Sequence, residues 1–118
     1  MSERVDRWKT AWESLDPDRV AALYRPDAAH ASALVARIFP EAGGPTLRGR
    51  DRIREYASRG LSRFTELRFE ILSVTESEST SAVEYHRHSN LDRDTPAHVL
   101  ELIDWDGPAI RSVRVFHF

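Results

Sequence analysis

The apolar period changes once along this 118-residue chain, and that change decides the fold class. In the first half apolar side chains recur at intervals of three and four: Val5, Trp8, Trp12 and Leu15, then Val20, Leu23 and Tyr24, then Ile53, Tyr56 and Ala57. That spacing puts them on one face of a helix. From Leu67 they recur at every second position, so that Leu67, Phe69 and Ile71 alternate with Glu66, Arg68 and Glu70. This is the pattern of a half-buried strand. Helices first and a meander of strands afterwards predict an α+β chain with helices packed on one face of an antiparallel sheet.

Punctuation refines the plan. Asp16-Pro17-Asp18 reads as a helix cap with proline at the first helical position, opening a short helix that carries Val20, Leu23 and Tyr24. Asp27 to Ser32 is read as a short strand, and residues 33–46 as less regular, broken by Phe39-Pro40 and Gly43-Gly44-Pro45. A further helix is expected from Gly49-Arg50-Asp51 to Arg59, stopped by Gly60. Strands are expected at 82–88, 98–105 and 110–118, the last two joined by the hairpin signal Asp106-Gly107-Pro108. No repeat or linker interrupts the chain, and residues 1–118 read as a single domain.

Composition excludes several classes of function. A formal charge of −2 argues against a dedicated nucleic-acid or membrane binder. The absence of cysteine removes disulfides, thiolate catalysis and cysteine-based zinc sites. Nothing reads as a secretory signal or a long apolar span, so a cytoplasmic location is expected. The basic residues are arginines apart from Lys9, a bias suggesting a GC-rich bacterial genome. Arg48, Arg50, Arg52, Arg54, Arg59 and Arg63 are interleaved with Asp51 and Glu55, as on a solvated helix with i,i+4 pairs.

The run Ala82-Val83-Glu84-Tyr85-His86-Arg87-His88 carries the densest chemistry. Alternate side chains of a strand share a face, so Glu84, His86 and His88 project together. Turned inward they line a polar cavity, because unpartnered charges cannot be ordinary core. Turned outward they form a solvated or interface face. An inward His86 or His88 beside Glu101 or Glu84 can titrate near neutrality and act as a general acid or base. The plainer reading is a hydrated polar network. Two histidines and a carboxylate are also a known coordination set, but His-x-His arises often by chance, and neither metal nor cofactor is assigned.

Three local signatures resemble the nuclear transport factor 2-like superfamily, the cone-shaped fold of ketosteroid isomerase, scytalone dehydratase and the SnoaL-like polyketide cyclases. They are Leu15-Asp16-Pro17-Asp18-Arg19-Val20-Ala21-Ala22-Leu23-Tyr24-Arg25-Pro26-Asp27-Ala28, Leu47-Arg48-Gly49-Arg50-Asp51-Arg52-Ile53-Arg54-Glu55-Tyr56, and the closing Asp104-Trp105-Asp106-Gly107 hairpin. The resemblance implies three N-terminal helices closing a pocket against a strongly bent sheet. It points Glu84, His86 and His88 inward, with Val99, Glu101, Ile103 and Trp105, and then Ser112, Arg114 and Phe116. Trp8, Trp12, Tyr24, His30, Ser32 and Tyr56 join them as ligand-binding candidates, and 33–48 is expected to form a flap. His98 and His117 fall on the outer face, where Tyr85, Leu100, Leu102, Val113 and Val115 are expected to pair two copies as a homodimer.

The isomerase's acid tyrosine falls at Trp8 and its base aspartate at Ser32, which argues against that chemistry. Only its second, protonated acid has a near match, at Glu101. His30 stands where many SnoaL-like sequences carry Asp-x-x-His, here Asp27 to His30; it is either a pocket group or a satisfied core histidine. Arg114 either binds an anionic group or neutralises Glu84 or Glu101, and the aromatic set either lines a flat ligand or is core. The implied function is cofactor-independent cyclisation, isomerisation or dehydration of a small hydrophobic carbonyl compound, with His86 or His88 moving the proton. The alternative is a non-catalytic ligand-binding or protein-interaction module.

Overall fold

Side-chain caps start three of the four α-helices. The structure, a computed structural model, describes residues 1–118. Helix α1 (Glu3–Glu13) begins where Ser2 Oγ accepts from the Val5 N–H at 3.3 Å, and it buries Val5, Trp8 and Ala11. Helix α2 (Pro17–Ala21) is capped by Asp16, whose carboxylate accepts from the Asp18 N–H at 2.9 Å. Strand β1 (Tyr24–Ala31) follows directly, so Tyr24 opens a strand and does not end a helix. The stretch read as irregular holds helix α3 (Ala33–Ile38), capped by Ser32, a 3-10 turn (Pro40–Ala42) and the short strand β2 (Thr46–Arg48). Helix α4 (Arg50–Leu61) starts after Gly49, whose φ of 96° suits glycine, and runs through Gly60, since nothing there requires a left-handed stop.

Strands β3 (Leu67–Glu76), β4 (Thr80–Ser89), β5 (Ala97–Asp106) and β6 (Ala109–His117) form the antiparallel meander. The sheet has six strands in the order β2-β1-β6-β5-β4-β3, with β1 parallel to β6. The class is α+β with helices on one face of a bent sheet, as the period change predicts; α3 raises the helices to one more than expected. Its edge is tied down by α1: Glu13 Oε2 accepts from the Phe69 N–H at 2.7 Å, and Arg4 binds Glu76 at 2.8 Å and the carbonyl of Glu78 at 2.6 Å. No helix is long and apolar enough to cross a membrane.

The facing of β4 is the reverse of that expected. Ser81, Val83 and Tyr85 are buried on the helix side, whereas Glu84, His86 and His88 lie on the outer face. Apolar transfer decides it, because Val83 and Tyr85 together with Trp8 and Phe69 outweigh any polar arrangement of the alternate residues. Phe69 and Tyr85 stack at 4.4 Å between centroids, with Trp8 at 5.2 Å and 5.5 Å from them. Pairing enforces the same answer. Val83 lies opposite Glu101, so Glu84 and Glu101 cannot share a face.

In β6 the register shifts between Asp104 and Trp105, where Arg111 is the extra residue opposite the shift. Ile110 points inward, but beyond the bulge the inward set is Val113, Val115 and His117. Ser112, Arg114 and Phe116, expected inside, are therefore outside, and Tyr85, Val113, Val115 and His117, expected outside, are inside. The expectation held for β5, where Val99, Glu101, Ile103 and Trp105 are buried.

Candidate functional site

A cavity of about 660 Å³ opens between the inner face of the sheet and helices α3 and α4. Trp12, His30, Tyr56, Phe69, Tyr85 and Glu101 form its inner wall, and Arg37, Arg59, Arg63, Arg87 and His117 stand toward its mouth. From the stretch expected to form a flap, α3 supplies Leu34, Arg37 and Ile38 to the wall.

Glu101 is the more deeply buried of the two carboxyl groups lining the cavity. It sits mid-strand at 6% exposure, and its Oε1 accepts a 2.6 Å hydrogen bond from the Tyr85 hydroxyl. Burial penalises the charged form and pushes its carboxyl up to about 7; the Tyr85 hydroxyl and then the Trp8 indole N–H pull the other way. The Trp8 contact is loose, since neither Trp8 Nε1 nor Glu101 Oε2 completes a hydrogen bond. At neutral pH this group can therefore give or take a proton. The Tyr85 hydroxyl itself is held well above its ordinary value, first by burial and then by the neighbouring Glu101 charge.

His30, 2% exposed, lies on β1 across the cavity wall. Its Nδ1 and the Tyr24 hydroxyl are 3.1 Å apart, leaving Nε2 as the ring nitrogen free for the cavity. Burial lowers the imidazole to about 4, so it is neutral across the physiological range. Tyr56 packs on it at 5.3 Å between ring centroids and Trp12 at 6.5 Å. Desolvation lifts the Tyr56 phenol to about 12, keeping it a hydrogen-bond donor. Trp12 Nε1 is a buried donor with no partner.

The mouth is positively charged. Arg87 spans to Asp92 with two bonds of 2.9 and 3.0 Å, and Arg59 reaches Glu41 at 2.7 Å and Glu55 at 3.2 Å. Arg37 and Arg63 form no ion pair. The field is felt at His117, held below its usual value by partial burial and then by Arg87 and Arg37, with its Nε2 3.5 Å from Ser32 Oγ.

Of the candidates read from the sequence, Glu101, Trp12, His30, Ser32 and Tyr56 meet at the cavity. Trp8, Tyr24 and Trp105 are core behind it, with Trp105 Nε1 donating to Ser81 Oγ at 2.9 Å. His86, His88 and Glu84 are not at the cavity, and neither are Ser112, Arg114 and Phe116. Asp27 is exposed, paired with Arg25 at 3.2 Å. Sequence reasoning missed Tyr85, Arg87 and His117, whose inward facing was available from hydrophobic alternation in β4 but hidden by the bulge in β6.

A cone of helices over a bent sheet is an architecture shared with known proteins. The model of the SnoaL-like domain matches residues 5–118, and the chain belongs to that family. A SnoaL-like protein of unknown function from Burkholderia thailandensis superposes with a TM-score of 0.79 at 19% identity, covering 97% of this chain and 91% of that one. A Catenulispora acidiphila protein with a ketosteroid isomerase-like fold, crystallised with trimethylamine, gives 0.75 at 21% identity, covering 98% and 85%. A nuclear transport factor 2-like protein from Anabaena variabilis gives 0.78 at 16% identity, covering 98% and 84%. These likenesses show the fold. No curated protein matches the chain.

Proposed function

We propose that the cavity binds a small, largely hydrophobic carbonyl compound and moves a proton on it, so that the protein acts as an isomerase, cyclase or dehydratase with its own side chains as acid and base. The observation that carries the reading is the pair of titratable groups driven apart by burial: Glu101, raised to about 7, and His30, lowered to about 4. Glu101 as carboxylate removes a proton next to the carbonyl and, once protonated, returns it at another position. Neutral His30 and the unpartnered Trp12 N–H supply donors for the carbonyl oxygen as it gains negative charge. An unmet buried donor costs about 1–3 kcal/mol, which a ligand oxygen recovers. Unpaired Arg37 and Arg63 at the mouth favour an electron-rich or anionic ligand end. The proton-moving role expected for His86 or His88 passes to Glu101, because those two histidines do not line the hollow.

The test uses 2-tetralone as substrate probe and 2-naphthol as mimic of its enolate. The protein should speed deuterium incorporation beside the tetralone carbonyl, followed by proton NMR, and Glu101→Gln should abolish the acceleration. Naphthol binding without accelerated exchange would leave the non-catalytic binding module as the reading. Neither binding nor exchange would refute both. The homodimer belongs to the same proposal: Leu100 and Leu102 are only half-buried and Phe116 is 46% exposed on the outer sheet face, and sedimentation equilibrium should return twice the mass of the 13.5 kDa chain.

A further inference from the structure

The side chains that the fold turns away from the cavity form a cluster of their own. His86 and His88 share the outer face of β4, and across the ladder Glu70 of β3 lies directly opposite His86. Glu70 Oε1 is 2.9 Å from His88 Nε2 and 3.4 Å from His86 Nδ1, and the three atoms lie within 4.8 Å of one another. We propose that Glu70, His86 and His88 form a site for a divalent transition-metal ion of the zinc type on the outer face of the sheet, separate from the cavity.

The geometry carries the argument. Zinc takes imidazole nitrogen and carboxylate oxygen at about 2.0–2.2 Å, which in a tetrahedron separates neighbouring ligand atoms by about 3.3 Å. The two carboxylate-to-imidazole distances bracket that value, and with all three atoms within 4.8 Å, rotation of the His86 and His88 rings toward each other seats an ion. The ladder fixes the backbones beneath: His86 and His88 are two apart on one strand, and Glu70 is hydrogen-bonded across from them. Their side chains are a third to a half exposed, which leaves the remaining coordination positions to water. The donor set suits borderline ions and not magnesium or calcium, which take oxygen ligands.

The surroundings have mixed charge. Arg68 stands opposite His88 and opposes a cation, while Glu84 on the neighbouring position of β4 adds a negative charge. Glu84 is engaged by His98 Nε2 at 2.6 Å, and the His98 ring lies 5.2 Å from that of His86. His98 thus packs beside the site and helps fix the His86 ring. An ion here joins the edge strand β3 to β4 and protects the exposed end of the sheet. The sequence alone showed the histidine pair; the third ligand comes from the strand register.

The experiment is a calorimetric titration of tag-free protein with zinc chloride, with magnesium chloride as comparison. One zinc per chain should bind saturably, magnesium should not, and zinc should raise the melting temperature. His86→Ala, His88→Ala and Glu70→Gln should each weaken binding by about tenfold or more. His117→Ala, which removes a histidine at the cavity mouth, should leave it unchanged. All four positions are at least partly exposed, and circular dichroism checks that each variant folds. Absence of saturable zinc binding, or wild-type affinity in both His86→Ala and His88→Ala, overturns the proposal.

Discussion

Replacing Glu101 by Gln should tilt the dependence of stability on pH, and the size of the tilt follows from two buried groups. Glu101 titrates at about 7 in the fold against 4.5 for the free group. Between those values the folded chain holds a proton that the unfolded chain releases, so stability falls as pH rises, by about 1.4 kcal/mol per pH unit. His30 acts with the opposite sign. Its folded value of about 4 lies below the ordinary 6.5, so the unfolded chain binds the extra proton and stability falls as pH drops through that window.

From pH 4.5 to 6.5 the two slopes cancel, so this pair adds little net pH dependence there. Glu101→Gln removes one slope, so its stability relative to wild type should rise by about 3 kcal/mol between pH 4.5 and 7. His30→Gln should do the reverse, losing about 3 kcal/mol relative to wild type from pH 4.5 to 6.5. Urea denaturation followed by tryptophan fluorescence at half-unit pH intervals measures both. Difference curves that stay flat with pH would refute the burial of these groups as the origin of their properties.

Tyr85→Phe removes the 2.6 Å bond to Glu101 and should raise that carboxyl further, since the hydroxyl holds it down, while costing about 1–2 kcal/mol; carbon-13 NMR and urea melts read the two effects. Trp8→Ala empties the contact with Phe69 and Tyr85 at a fully buried position and should cost about 3–5 kcal/mol, measured by denaturation. Arg87→Ala leaves the partly buried Asp92 unpaired and should lower stability by about 1 kcal/mol, the loss shrinking below the pH at which Asp92 protonates.

The architecture was legible because each level of the sequence agreed. Helical spacing, the Asp16-Pro17 cap and the Gly107 hairpin turn, with its φ of 59°, all pointed to elements that are present. The cavity's floor was partly legible: Glu101 lies among Val99, Ile103 and Trp105, whose alternation leaves no doubt about facing. The facing of the neighbouring strand, which the residue chemistry leaves open and the family resemblance turns inward, is the reverse. Val83 and Tyr85 bury more apolar surface than Glu84, His86 and His88 could satisfy in polar contacts, and hydrophobic alternation alone gives the right answer. The last strand could not be read that way, because Arg111 is an exposed extra residue whose effect on its successors depends on pairing with β5.

The most direct measurement is the titration of the Glu101 side-chain carboxyl by carbon-13 NMR, free and with saturating 2-naphthol. The account predicts a midpoint near 7 in the free protein, moved clearly by the ligand, because the same burial that perturbs the acid places it against the hollow. A midpoint near the 4.5 of a free glutamate, indifferent to naphthol, would contradict it.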